Sequence, residues 1–472
     1  MKKFFKIFIL CFILFIFGVK AHAAAFNSIG KAIDNTGLGH DSIISIVVKD
    51  MENGDAVFSK RADTYLNPAS SLKIFTMAAA LDTLGEKYHF ETIIYIDKDK
   101  NLYLKLGADP LFSSADLDNL IKTLKKVYTG KIKNFYIDDS VIDKVYYPDG
   151  WTVDDFWPNS PKISPYIIDN NTVTVNFSVF KDKKDIKISQ KNDYKFSFIN
   201  ELEIGDKTNI VPSLNYGENS GIVSLRGTIA GDLNKEFPVL DTMQLFTYKL
   251  RKALDNNNIS YSKPFYSKKV PSDAKRIASF RRPIGDVLVF ILKTSDNFST
   301  EVVFKLAGGV WAKDRDEYIK KAYQVEKKGA ASVSLGTLEN AKEMFFDYYK
   351  RAGLIKDDNK INLSDGSGVS RYNAFTTLWM TDALLYLDKN SKIKDFMMTA
   401  GEGTLSRRMK DLEGNLYAKT GTIFGVSSLT GYLTSKMGKE YAFSIIIQNF
   451  GVRPSVVKGL EDDLVYGIYC FE

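Results

Sequence analysis

Ser70 and Lys73 stand three residues apart in the stretch Asn67-Pro68-Ala69-Ser70-Ser71-Leu72-Lys73. A serine hydroxyl is a poor nucleophile until a neighbouring base takes its proton. A lysine becomes such a base when burial and nearby cations depress its pKa. Two later runs carry groups suited to the same chemistry: Ser295-Asp296-Asn297, and Lys419-Thr420-Gly421 followed by Thr422. Histidine chemistry is poorly supplied by comparison. Beyond the first 23 residues only His40 and His89 remain, too few for a convincing Ser-His-Asp or histidine–metal site. His89 reads as a structural residue at the edge of an apolar run. No metal and no cofactor is expected.

Spacing gives meaning only through the elements that hold it. Asn67 is a favoured N-cap and Pro68 suits the first helical position. Residues 72–84 are apolar on every side, the pattern of a buried helix, and Gly85 offers a stop. Ser70 is therefore expected in the first turn of a buried helix, with Lys73 on the same face. The helix N-terminus favours a developing oxyanion. Ser-x-x-Lys alone is uninformative, because it recurs at Ser28, Ser178, Ser260, Ser272, Ser391 and Ser455. Only the Ser70 copy opens a capped, buried helix.

Ser295 to Asn297 fall between two helical stretches, 284–293 and 298–312. Lys419 falls within a strand, 416–422. Strands are also expected at 43–48 and 56–59, joined through the hairpin signal Asn53-Gly54, and at 427–433 and 441–448. Further helices are read at 337–352 and 376–387. The chain thus ends in strands as it began, which suits one sheet built from both termini with an insertion between them. Within that insertion, 91–96 and 102–106 form a hairpin-like pair, and 172–177 and 222–229 read as strands. Residues 114–129 form an amphipathic helix with Leu117, Leu120, Ile121, Leu124 and Val127 on one face. The six lysines between 181 and 195 read as a solvated surface.

The first 23 residues look like a secretory signal peptide: Lys2, Lys3 and Lys6, a short apolar core, then Ala21-His22-Ala23. Cleavage is expected near Ala23, giving a secreted protein, periplasmic or extracellular at the cell wall, with membrane association peripheral at most. Removing 1–23 takes away four lysines and no acids, so the net charge falls from +7 to +3. So small an excess does not suggest nucleic acid. Cys470 would be the lone remaining cysteine, which excludes an intramolecular disulfide. About 450 residues suffice for two or three ordinary cores.

Taken in order, Ser70/Lys73, Ser295-Asp296-Asn297 and Lys419-Thr420-Gly421 resemble the three motifs of penicillin-interacting serine enzymes. Ser70 and Ser295 are 225 positions apart, more than a compact β-lactamase needs. The chain resembles the class C low-molecular-mass penicillin-binding proteins, D-alanyl-D-alanine carboxypeptidases and endopeptidases with two domains inserted between these motifs. The resemblance extends to Gly107-Ala108-Asp109-Pro110, Asp365-Gly366-Ser367-Gly368 and Ala418-Lys419-Thr420-Gly421-Thr422. Val369 stands where the family often has leucine. The resemblance implies an α+β multidomain fold: a β-lactamase/transpeptidase-like domain, an antiparallel sheet flanked by helices, with two nested inserted domains. The expected limits are 24–84 with 281–472 for the catalytic domain, 85–106 with 177–280 for the first insertion, and 107–176 for the second.

It also implies roles. Lys73 deprotonates Ser70, which attacks the carbonyl between two D-alanines. Backbone N–H groups of Ser70 and Thr422 hold the oxyanion, Ser295 relays a proton to the leaving nitrogen, and Asn297 orients the substrate or Lys73. Lys419 and Thr420, with Gly421 between Thr420 and Thr422, bind the terminal carboxylate, and Lys419 depresses the Lys73 pKa by repulsion. The group that activates the deacylating water is not legible. The expected partners are peptidoglycan peptides, with β-lactams as covalent inhibitors. The same motifs fit a β-lactamase, which leaves the insertion unexplained, or a non-catalytic cell-wall-binding scaffold, which leaves the intact motifs unexplained. Trp151-Thr152-Val153-Asp154-Asp155 resembles the family segment that brings an aspartate to a diamino-acid side chain, and Arg371 matches an arginine at the same end. Asp154 and Asp155 fit that role equally well, and both also fit plain solvated loop charges.

Overall fold

The computed structural model describes residues 29–33, 37–38, 42–182, 184–190, 194–215, 221–262, 264–323, 336–356 and 360–471. The expected leader, its cleavage point and His40 lie outside these residues. The chain forms two compact units. The catalytic unit takes the described residues up to Glu86, then Leu288–Thr300, and the chain from Lys342 onward. The second unit comprises Lys87–Val287 and Glu301–Ala341.

The catalytic unit is built on a five-stranded antiparallel sheet in the order Leu416–Ile423, Val426–Thr434, Glu440–Gln448, Ile43–Asp50, Ala56–Lys60. The first strand of the chain pairs with the last along its whole length, Ile43 opposite Gln448 and Asp50 opposite Tyr441. Both termini do build one sheet. Its central strands read as near-continuous apolar runs because both faces are covered. On one face Ile44, Ile46, Leu429, Phe443, Ile445 and Ile447 pack into an apolar core with Val457, Leu460, Leu464 and Ile468. The opposite face meets its neighbours through buried hydroxyls: Ser45 bonds Thr377 at 2.7 Å, Ser71 bonds Ser428 at 2.8 Å, and Thr430 bonds Ser444 at 2.9 Å.

One expectation is corrected here. The chain does not end in strands: a helix, Pro454–Tyr469, follows the last of them. The signal was present, with Pro454 at the first helical position and apolar residues at 457, 460, 464, 465 and 468. That helix covers the apolar face of the sheet, which would otherwise stand in water.

The second unit contains a mixed five-stranded sheet, ordered Tyr266–Ser267, Phe135–Asp138, Leu102–Lys105, His89–Ile96, Lys275–Pro283, and two three-stranded sheets. The amphipathic helix Ser114–Val127 opens with a capping box on Ser113 and buries Leu117, Leu120, Ile121 and Leu124. One continuous apolar core runs through the unit, from Ile94 to Ala278. Phe135–Asp138 lies in the 107–176 segment yet pairs with Leu102–Lys105 from the 85–106 segment. Asp109, of Gly107-Ala108-Asp109-Pro110, is buried and paired with Arg282 at 2.8 Å.

Candidate active site

Ser70 lies in a single 3₁₀ turn, Ala69–Leu72, that runs straight into the buried α-helix Lys73–Leu84. The expected Asn67 cap is not made as such: Pro68 is the N-cap of this turn and no side chain caps it. Asn67 Oδ1 instead accepts from the Ala69 N–H at 2.8 Å and its Nδ2 donates to the Ser370 carbonyl at 2.8 Å, which holds Ala69 at φ 45°. Gly85, at φ 84°, ends the helix as expected. Lys73 is fully buried, and its Nζ reaches Ser70 Oγ at 2.9 Å, Asn297 Oδ1 at 2.7 Å and the Ser367 carbonyl at 2.6 Å.

Those three partners come from three separate segments. Asn297 opens the helix Asn297–Tyr323. The Ser295 N–H closes the preceding helix onto the Ile291 carbonyl at 2.9 Å, and Asp296 caps the next one by accepting from the Ser299 N–H at 2.6 Å. Between these two helices Ser295 lies in the left-handed region, at φ 63°. The Ser367 carbonyl is presented by a turn folded around the buried Asp365. Its carboxylate accepts from the N–H groups of Gly368, Val369 and Ser370 at 2.7–3.0 Å and from Asn373 Nδ2 at 2.7 Å. Gly368 has φ 82°, and a Cβ there would come within 1.9 Å of the Ala69 carbonyl, so only glycine lets this turn reach the nucleophile's own turn.

Lys419 sits on the sheet's edge strand, Leu416–Ile423. It is 1% exposed, and its Nζ donates to Ser295 Oγ at 2.7 Å and to the Thr420 carbonyl at 2.8 Å. Burial first, and then the Lys73 charge, hold its pKa well below the ordinary lysine value. The repulsion expected between these two lysines is present and weighs on Lys419. Strand alternation sets Thr420 and Thr422 on the cleft, while Lys419 and Gly421 face inward. A Cβ on Gly421 would lie 2.8 Å from the Ser70 nitrogen and 2.2 Å from Ser428 Oγ. The strand therefore approaches the nucleophile's backbone only because this residue is glycine. Ser70, Ser295, Asn297, Thr420 and Thr422 line one cleft of about 290 Å³, together with Thr404, Arg408 and Lys458.

The D-Ala-D-Ala carboxypeptidase 3 (S13) family matches residues 27–466 of the chain. The chain belongs to that family. It is a serine-type D-Ala-D-Ala carboxypeptidase, a hydrolase of the class C low-molecular-mass penicillin-binding proteins. It is 25% identical to the D-alanyl-D-alanine carboxypeptidase DacB of Haemophilus influenzae over 462 residues, covering 92% of this chain and 91% of that one. It is 26% identical to a D-alanyl-D-alanine carboxypeptidase of Actinomadura, covering 86% of this chain and 77% of that one. Among solved structures, penicillin-binding protein 4 of Haemophilus influenzae matches with a TM-score of 0.79 at 21% identity, covering 93% of this chain and 99% of that one. That likeness shows the fold.

Several residues of this carboxypeptidase's cleft were not singled out by sequence reasoning. Asp365 and the Ser367 carbonyl belong to a quoted motif, but a backbone carbonyl carries no side-chain signal. Thr404, whose hydroxyl bonds that of Thr420 at 2.6 Å, and Arg408 had no motif at all, and Lys458 stood only in the uninformative Ser-x-x-Lys copy at Ser455. Arg371 follows the Asp365 turn, half-buried, with Nη1 donating to the Val369 carbonyl at 2.9 Å. Asp154 and Asp155 lie in the other unit, in the 3₁₀ turn Val153–Asp155. They differ in occupation: Asp155 Oδ2 accepts from the Thr152 N–H at 2.7 Å and from its hydroxyl at 3.0 Å, whereas Asp154 is exposed. Among the described residues no cluster of potential metal ligands occurs.

Proposed function

We propose that this carboxypeptidase cleaves peptidoglycan stem peptides and cross-links after D-alanine through an acyl-enzyme on Ser70, with Lys73 in its amine form as general base. The observation that carries this reading is the set of oxygens around Lys73. Asn297 Oδ1 and the Ser367 carbonyl can only accept. An amine that donates its two N–H bonds to them has one lone pair left, and the Ser70 hydroxyl lies 2.9 Å away. Ser70 Oγ then bonds the carbonyl carbon as its proton passes to Lys73 Nζ. The oxyanion is held by the N–H groups of Ser70 and Thr422, which the missing Gly421 side chain allows to converge.

When the C–N bond breaks, Ser295 gives the leaving nitrogen its proton and takes up in turn the one that Lys73 removed from Ser70, so both groups return to their starting states. Lys419 Nζ already occupies an acceptor site on Ser295 Oγ, so the serine's own O–H remains for that transfer. Lys419 and Thr420 take the carboxylate of the leaving D-alanine, and water hydrolyses the ester. β-Lactams, which present an acyl group and a carboxylate in the same relation, acylate Ser70 by the same route. The enzyme is exported by its leader and works in the periplasm or at the cell wall. Among the described residues no helix is long and apolar enough to cross a membrane.

Mass spectrometry of the protein with benzylpenicillin and a D-Ala-D-Ala peptide tests this reading. The unmodified enzyme forms a one-to-one adduct and releases D-alanine, and Ser70→Ala does neither while melting at an unchanged temperature. An adduct on Ser70→Ala, or none on the unmodified enzyme, would exclude Ser70 as nucleophile.

The same reading extends to the far end of the substrate. Meso-diaminopimelate carries an ammonium and a carboxylate on one carbon. Arg371, beside the Asp365 turn, holds that carboxylate with two parallel N–H···O bonds. Peptides with a free diaminopimelyl centre are then preferred over lysine peptides, and Arg371→Ala removes the preference while penicillin acylation persists. Equal kcat/KM on both peptides would rule the clamp out.

A further inference from the structure

Past Thr422 the cleft reaches two cations that the acylation chemistry does not use, Arg408 and Lys458. Arg408 is fixed in place. Its Nε and Nη2 donate to Asp462 Oδ1 at 2.8 and 2.6 Å, and Nη2 also reaches Glu461 Oε2 at 2.9 Å and the Lys458 carbonyl at 3.2 Å. Glu461 is fully buried on the core-facing side of the last helix, and its other oxygen accepts from Ser427 Oγ at 2.6 Å. Ser427 stands opposite Thr422 in the sheet register, so the guanidinium is tied to the strand pair that carries Thr422. Among the described residues Arg408 Nη1 has no hydrogen-bond partner.

Lys458 is left open by the same arrangement. It precedes Asp462 by four positions, the spacing at which a helix pairs a lysine with an aspartate. Here Asp462 is turned to Arg408, and Lys458 makes no ion pair among the described residues. Its side chain lines the catalytic cleft, half-buried. A carboxypeptidase releasing a single D-alanine has one leaving-group carboxylate to bind, and Lys419 with Thr420 provides for it.

We propose that Lys458 and Arg408 Nη1 form a second carboxylate subsite on the leaving-group side, for the C-terminal carboxylate of the second stem peptide that departs when a cross-link is cut. This rests on the acyl-enzyme reading above. The reaction is the same hydrolysis, and the subsite selects cross-linked dimers among its substrates. Asp462 holds the guanidinium while leaving the lysine free, and Thr422 lies on the cleft wall shared by both carboxylate positions.

Three substrates test the subsite: a monomer ending in D-Ala-D-Ala, a cross-linked dimer whose leaving peptide ends in a free carboxylate, and the same dimer with that carboxylate amidated. The unmodified enzyme is expected to prefer the free dimer over the amidated one by about tenfold in kcat/KM, the effect of one charge-assisted contact. Lys458→Glu should bring that ratio to one or below, and Lys458→Met should give an intermediate value. Melting temperatures of both variants exclude unfolding as the cause. A ratio of one in the unmodified enzyme overturns the subsite, as does an equal loss on monomer and dimer, which would assign these cations to the single D-alanine carboxylate. Failure to cleave any of the three would instead overturn the carboxypeptidase reading itself.

Discussion

Lys73 and Lys419 are equally sealed from water, at 0% and 1% exposure, yet they are held in different ways. Lys73 rises from a helix into three oxygens drawn from Ser70, Asn297 and Ser367, two of which can only accept. Its geometry is decided on every side. Lys419 rises from an edge strand to one hydroxyl and one carbonyl, and burial makes its protonated form costly, with repulsion added whenever Lys73 is charged. A buried cation short of compensation is stabilised by an arriving anion. On the mechanism proposed above, the same residue type in the same degree of burial serves two ends: one lysine aims a lone pair, the other receives a carboxylate.

The largest effect should come from the aimed lysine. Lys73→Met removes the general base and is expected to lower acylation by penicillin and by peptide about 10³-fold, in the usual range for such a group. Stopped-flow acylation rates measure it, and a loss smaller than about tenfold would transfer the base role elsewhere.

Lys419→Met removes a carboxylate partner instead, so kcat/KM should fall roughly 10- to 150-fold for both ligands, the equivalent of about 1.5–3 kcal/mol. Stability should move the other way. With its pKa lowered in the fold, Lys419 binds its proton less readily than in the unfolded chain, so it costs stability as pH falls below the ordinary lysine value. At neutral pH the methionine variant is expected to melt higher, by roughly 2–4 °C for each kcal/mol recovered. A lower melting temperature would mean that Lys419 is a structural cation.

The smallest effect is a pH limb. As pH rises, Lys419 loses its charge below the normal lysine range, so kcat/KM should fall on the alkaline side before an ordinary lysine would titrate. Lys419→Arg retains its charge and should move that limb to higher pH, even if its absolute rate is lower. Superimposable alkaline limbs would show that Lys419 does not carry the dependence.

The candidate site residues were legible wherever their placement is local. Ser70 and Lys73 meet because three residues of helical turn bring side chains together. Gly85 marks the end of that helix with ordinary stop chemistry, whereas its start falls one residue later than Asn67 and Pro68 imply and runs through a 3₁₀ turn. Thr420 and Thr422 reach the cleft because strands alternate. The last helix is equally legible in its apolar residues at 457, 460, 464 and 468 and in Pro454 at its first position. Asp154 and Asp155 could not be separated by sequence, since their difference lies in which one the Thr152 turn occupies.

By itself, then, the chain determined its helix and strand faces, the order of its three motifs and the size of the insertion between them, because those follow from periodicity and spacing. Only the tertiary structure decided what Lys73 and Lys419 have around them. Asp365 folds a turn so that Ser367 turns a carbonyl to Lys73, and Gly368 and Gly421 clear the space for two backbones to reach Ser70. A backbone carbonyl looks the same at every position of a sequence, and the absence of a side chain has meaning only beside the atoms it would have struck.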